Sequence, residues 1–402
     1  MEDFNAANEI QDLQYFGEFG GVNPSISDSS TYTFLSAKTM FDTFEGNADG
    51  CYLYSRHSSP MNLYLAQALA KLENTAAANV TASGMGAITT VLLQLCKSGD
   101  HIISSRTIYG GTYAFLKNFL PPFQIETSFV DISNFEAIER AIGPTTKIIY
   151  CESVSNPLLE VADLRKLSAL CKKHNLKLVV DNTFSPLSVS PGLLGADVVI
   201  HSLTKFINGS SDTVGGVYCG TQEFINDTKN VNSGACMLLG PTMDSLRSSS
   251  ILKNLRTLHI RMKQHSCNAL YLAERFERDG LKVSYPGLSS HKQHELLKSM
   301  MHAEYGFGGI LTLDAGTTAK ANELMELMQK ENLGYLAVSL GFYKTLFSCS
   351  GSSTSSEIPE EERVSMGISD GLIRFSIGLD HDIERTYQRM KACMLKTGVL
   401  AP

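Results

Sequence analysis

Residues 195–216 read GADVVIHSLTKFINGSSDTVGG. An apolar run, ADVVIHS, ends in hydroxyls and then in Lys205, with glycines closing the stretch. Burying an ammonium at the end of such a run is costly unless something neutralises it. The run 176–182, LKLVVDN, closes in the same way on Asp181. HIISS, IETSFVD and KIIYCES lie upstream, with helical patterns such as NFEAIERAI and VADLRKLSALCKKHN between several of them. Strands alternating with helices predict crossover units and a mainly parallel sheet. Runs that are apolar throughout, rather than alternating, predict strands covered on both faces.

Working outward, MNLYLAQALAKLE reads as a helix, and GAITTVLLQLCKSG reads as another that closes at glycine. The first ~55 residues are rich in Gly, Ser and aromatics and weakly periodic. They read either as an arm that packs on something else, a second subunit included, or as a loose terminal segment. Past Ile251 the pattern changes. NLRTLHIRMKQHSCNALYLAERFERDG reads as one long helix or two abutting ones. LKVSYPG, GGILTLDA and GLIRFSIGLD read as strands, with the helix TTAKANELMELMQKE between the second and third. We therefore expect an arm at 1–58, an α/β domain at 59–250 and a smaller α+β domain at 251–402. Within the last, the Ser-rich 348–356 reads as a surface loop running into charge.

The chain has 402 residues, 43% hydrophobic and 19% charged, with net charge −7. This is the profile of a globular protein, and the charge argues against nucleic acid as a partner. No run reaches the ~20 apolar residues of a membrane span. The N-terminal residues, acidic and mixed, resemble neither a secretory signal nor a transit peptide, so a cytoplasmic location is expected. The nine cysteines contain no C-x-x-C pair and read as reduced thiols. The ten histidines show no ligand spacing, and His174 reads as the polar end of a helix. No metal site is expected.

Asp181 and Lys205, each at the C-terminal end of a strand, face the crevice where open parallel sheets bind ligands. They could also simply pair as a structural salt bridge. TASGMGAITTVLLQL adds Ser83, Gly84, Met85 and Gly86 ahead of a long apolar helix. Small residues there let backbone N–H groups approach a phosphate, and the helix dipole favours its charge. A phosphate cradle, a strand-end acid and a strand-end lysine together suit pyridoxal phosphate. Lys205 would form a Schiff base with its aldehyde, and Asp181 would keep the pyridine nitrogen protonated. No G-x-G-x-x-G fingerprint supports a nicotinamide dehydrogenase.

The sequence resembles the Cys/Met-metabolism family of pyridoxal-phosphate enzymes. The likeness runs through YSR at 54–56, SGMGAI from Ser83, YGGT from Tyr109 and ESVSNP from Glu152. It continues through VVDNTF from Val179, HSLTKF from His201, AVSLG from Ala337 and GLIRFSIG from Gly371. The methionine γ-lyase branch is the nearest in pattern. The resemblance implies a fold-type I architecture and a homotetramer of two dimers with shared active sites. It implies Lys205 as the Schiff-base lysine, Asp181 at the pyridine nitrogen and Tyr109 stacked on the ring. Gly84, Met85, Ser202 and Thr204 would hold the phosphate, with Tyr54 and Arg56 reaching it from a neighbouring subunit. Arg374 would grip the substrate carboxylate beside Asn156 and Ser339, and Val338 would favour a thioether.

Three features depart from the family's pattern: Gly111 replaces a cysteine of bacterial methionine γ-lyases, the Lys-Asp pair those enzymes carry further along is not evident in KNVNSGACMLLGPT, and Ser59 replaces the usual asparagine. The implied reaction is α,γ-elimination of L-methionine. Cystathionine γ-lyase, γ-synthase and O-acylhomoserine sulfhydrylase activities stay open as alternatives, as does a catalytically silent binding subunit.

Overall fold

The computed structural model of the chain describes residues 4–45, 48, 50–350 and 360–401, the side chains of 364 and 365 excepted. Seven strands form the larger sheet: β1 (Ala77–Thr81), β2 (His101–Ser105), β3 (Glu126–Val130), β4 (Thr146–Glu152), β5 (Lys177–Asp181), β6 (Val198–Ser202) and β7 (Gly216–Gly220). Their spatial order is β1-β7-β6-β5-β4-β2-β3. The run from β3 to β6 is parallel, and β7 is antiparallel to both of its neighbours.

Side chains alternate across a strand. On one face Ile149, Val180 and Val199 join a core with Leu65 and Leu69 of the helix Pro60–Leu72 and Leu167 of the helix Leu164–His174. On the other, Ile148, Val179 and Ile200 pack with Ile88, Val91 and Leu92 of the helix Gly84–Leu95. Cover on both faces explains why these strands read as unbroken apolar runs. His174 closes the helix Leu164–His174, as its sequence suggests.

A second sheet has the order β10-β11-β12-β9-β8. Its strands are β8 (Val283–Ser284), β9 (Ile310–Asp314), β10 (Tyr335–Leu336), β11 (Leu346–Cys349) and β12 (Leu372–Ser376). Leu311, Leu313, Ile373 and Phe375 face a core with Phe276, Leu324 and Met390 of three helices. Period-two alternation then turns Arg374, between Ile373 and Phe375, to the opposite face. Leu297, Met300 and Leu340 of this half join the core of the larger sheet, so the two sheets share packing.

The sequence pattern misses β1, β7, β10 and β11. β1 opens on two alanines, β7 is bounded by glycines, β10 is two residues long and β11 runs into the Ser-rich stretch, so none carries a long β-branched run. The helix from Gly84 ends at Leu95 with Cys96 already extended, rather than closing at glycine. The long pattern after Ile251 resolves into two helices, Ser245–Leu255 and Leu258–Arg278. Of the Ser-rich stretch, Ser348 and Cys349 lie buried in β11, and 351–359 fall outside the described residues. Ser59 caps the helix Pro60–Leu72, its Oγ accepting the Asn62 N–H at 3.3 Å. Asparagine and serine cap equally well, so that departure leaves the helix start intact.

Candidate active site

Adjacent strands β4 and β5 end in register on Glu152 and Asp181, and the turn after β6 presents Lys205. Between them lies a cavity of about 230 Å³ lined by Gly84, Met85, Tyr109, Asp181, Ser202 and Lys205. Thr204, Asn156, Val338 and Arg374 complete the predicted residues on its wall. Lys205 Nζ donates to Ser339 Oγ at 3.1 Å. Asp181 accepts the Thr183 N–H at 2.9 Å. The two groups therefore have separate partners and do not form the salt bridge that strand-end proximity allowed.

Burial, with Arg374 as a second cause, lowers the Lys205 ammonium from 10.5 to about 8. Burial raises the Asp181 carboxyl, against the Thr183 hydrogen bonds that lower it. A buried carboxylate of this kind is best satisfied by a cationic N–H partner. Arg374 is 3% exposed. Its Nη1 donates to Asn156 Oδ1 at 3.1 Å, and its Nη2 to the Val338 and Ser339 carbonyls at 3.2 Å. Its buried Nε has no partner among the described residues, so the fork can still meet an anion.

At the other end of the cavity the helix Gly84–Leu95 begins. Gly84, Met85 and Gly86 form its first turn rather than preceding it. Ser83 Oγ takes the Gly86 N–H at 2.9 Å, and the first N–H groups of a helix have no acceptor within it. A Cβ on Gly84 would lie 2.8 Å from Ser202 Cβ. Only glycine lets this helix start sit against the end of β6, where Ser202 and Thr204 add hydroxyls. Thr204 Oγ1 also accepts the Gly215 N–H at 3.1 Å.

Tyr109 is 44% exposed and stands at the start of the helix Gly110–Ala114. A Cβ on Gly111 would lie 2.6 Å from Tyr109 Cε1. A cysteine at 111 would therefore displace this ring, which gives that departure a steric meaning. Tyr54 and Arg56 do not line the Lys205 cavity. They border a separate open groove of about 620 Å³ with Phe44 and Met237, where Arg56 Nη1 donates to the Met237 carbonyl at 3.0 Å. Sequence reasoning passed over Glu152 and Thr183. Glu152 ends an apolar strand just as Asp181 does, so the strand-end signal was present in KIIYCES.

These residues fit pyridoxal phosphate: a glycine-lined helix start for an anion, a buried acid for a ring nitrogen and a lysine of lowered basicity between them. A family profile described as Cys/Met metabolism PLP-dependent enzyme matches residues 7–387. The chain is 44% identical over 401 residues to a methionine gamma-lyase of Arabidopsis thaliana, covering 98% of this chain and 91% of that protein. It is 38% identical over 333 residues to a cystathionine gamma-lyase of Bacillus subtilis, covering 82% and 85%. A solved structure described as an O-acetylhomoserine (thiol)-lyase of Campylobacter jejuni, with N′-pyridoxyl-lysine-5′-monophosphate, matches at TM-score 0.89 and 29% identity. That match covers 97% of this chain and 100% of the other.

Proposed function

The chain belongs to the Cys/Met metabolism family of PLP-dependent enzymes and is a PLP-dependent carbon–sulfur lyase; we propose that it splits L-methionine and water into 2-oxobutanoate, ammonia and methanethiol. The observation that carries this reading is the unequal wall of the cavity. Arg374 offers a fork to an α-carboxylate, while Val338, Leu340, Val214 and Phe184 bring apolar surface to the same space. The carboxylates on this wall are Glu152 and Asp181. Both of them accept backbone N–H bonds. An apolar thioether needs no polar partner there, whereas the distal ammonium and carboxylate of cystathionine would.

The residues would divide the work as follows. The N–H groups at the start of the helix Gly84–Leu95, with Ser202 and Thr204, would hold the cofactor phosphate. Asp181 would face the pyridine nitrogen, and Tyr109 would wall one side of the ring. Pyridoxal phosphate, when bound, supplies an electron sink for charge left at Cα. Arg374, held by Asn156, would fix the carboxylate and so aim the Cα–H bond at Lys205. Lys205 Nζ, already poised near neutrality, would take that proton as a general base. Tyr109 would pass a proton to the departing sulfur. A Ser339 hydroxyl bonded to Lys205 keeps the amine directed into the cavity between uses.

Tyr54 and Arg56 would serve the phosphate of a second copy, because their own chain holds them outside its cavity. That places a homotetramer of two dimers with shared sites within this proposal, in a cytoplasmic setting. Among the described residues no helix is long and apolar enough to cross a membrane. Product analysis tests the reaction. Methionine should yield 2-oxobutanoate and a volatile thiol in equal amounts, faster than cystathionine yields 2-oxobutanoate. Preference for cystathionine, or for thiol addition to O-acetylhomoserine, would overturn it.

A further inference from the structure

Glu152, one of the two buried carboxylates of the cavity wall, has no part in the reaction just described. It is 7% exposed and ends β4 directly beside Asp181 on β5. Two carboxylates buried side by side oppose each other's ionisation. Burial and Asp181 oppose the ionisation of Glu152, while the N–H groups of Tyr109 and Asn156 and the nearby Arg374 favour it. Glutamine would fill the same volume without that cost, so the charge needs a reason.

The hydrogen bonds supply one. Oε1 accepts the Tyr109 N–H at 2.7 Å, and Oε2 accepts the Asn156 N–H at 2.8 Å. Tyr109 has no side-chain cap for the helix that follows it. From Asn156 the chain of contacts runs through Oδ1 to Arg374, from Arg374 to the Ser339 carbonyl, and from Ser339 Oγ to Lys205. One carboxylate thus joins the aromatic wall to the guanidinium and the amine. A carboxylate is acceptor-only and meets two donors at once; a glutamine has one acceptor oxygen and turns an NH₂ on the other donor.

We propose that Glu152 is a positioning residue, which fixes the main chains of Tyr109 and Asn156 relative to one another and thereby sets the ring wall against Arg374. This rests on the roles given above to Tyr109 and Arg374. A misplacement on the order of 1 Å costs about 10²-fold in rate. Glu152→Gln should therefore lower kcat/KM for methionine by about 10²-fold, split between a higher KM and a lower kcat. It should also alter the visible circular dichroism of bound pyridoxal phosphate, since the ring wall shifts, with the cofactor still bound one per chain. In an Asn156→Ala background, Glu152→Gln should add no further rise in KM.

Glu152→Asp keeps the charge but is too short to span both amides, so it should also lose at least about tenfold in kcat/KM; it decides the matter if the glutamine variant fails to fold. Wild-type kinetics and dichroism in either folded variant would overturn the proposal. So would a lowered melting temperature of the apoprotein with kinetics unchanged per bound cofactor, or fully additive effects with Asn156→Ala. A wild-type chain that captures no pyridoxal phosphate would instead overturn the parent reading, and the two failures are distinguishable.

Discussion

The strand ends around Lys205 and the N-terminal arm both invert the usual partition of side chains, in opposite directions. At the strand ends Glu152 and Asp181 are buried, and facing the same cavity so is Arg374 from the middle of β12. In the arm Phe16, Phe19, Val22 and Leu35 are exposed, as are Phe41 and Phe44 of the helix Ala37–Phe44. Buried charges are tolerated where each finds a partner, and the strand ends largely supply those within one chain. Nearer the N-terminus Ala6, Ile10 and Leu13 pack on the core of their own chain, but these six stay exposed on it, and exposed apolar surface can mark an interaction site. The proposed sharing of sites would account for the contrast: one chain would build the reacting half of the site and lend the other half to a neighbour.

The largest expected effect breaks the two regions apart. Lys205→Ala should abolish methionine turnover, and Arg56→Ala should weaken cofactor retention and lower activity severely. Mixed after unfolding and refolding together, the two inactive proteins should regain activity. If sites are shared in symmetric pairs, an equal mixture restores about a quarter of the wild-type rate. Mixtures that stay as inactive as their parents would show that the arm serves its own chain or none.

Next in size is the carboxylate fork. Arg374→Ala should raise the KM for methionine by about 10²-fold, the size of a lost charge-assisted pair worth about 2–4 kcal/mol. Arg374→Lys should recover little of this, because an ammonium cannot copy a planar fork. The effect should be confined to substrate, leaving cofactor uptake complete. An unchanged KM in steady-state assays would remove Arg374 from the substrate site, and would leave its buried charge a structural one.

The same contrast explains what could be read from sequence. An apolar strand that stops on a charged residue is a local signal, so Asp181 and Lys205 stand out in LKLVVDN and ADVVIHSLTK. Arg374 is reached through the likeness of GLIRFSIG to the family, not through a pattern of its own. Glu152 carries the same signal, yet its partners are the main chains of Tyr109 and Asn156, and backbone acceptors leave no trace in a sequence. β1 and β7 escape for a related reason: Ala and Gly fit those strands through close packing, as where Gly216 presses on the Ser83 carbonyl. Tyr54 and Arg56 are the extreme case. Nothing in YSR distinguishes a binding element from a turn, because in the proposed assembly what it would meet belongs to another chain.

The smallest expected effect is a shift in a titration, and it sharpens the comparison most. Burial and Arg374 hold the Lys205 ammonium at about 8 instead of 10.5. Only the neutral amine attacks an aldehyde, so protonation slows capture of pyridoxal phosphate by the apoprotein. The capture rate should climb with pH and level off above about 8, well before a free lysine would. Burial is the larger cause and survives Arg374→Ala, so that variant should move the midpoint upward without reaching 10.5. Arg56→Ala, in the arm, should leave the midpoint in place even if it slows capture. The measurement is the growth of cofactor absorbance after mixing, followed across pH 6–10. A wild-type midpoint near 10, or a downward shift on removing Arg374, would mean that the strand ends do not tune the amine as their burial and charge require.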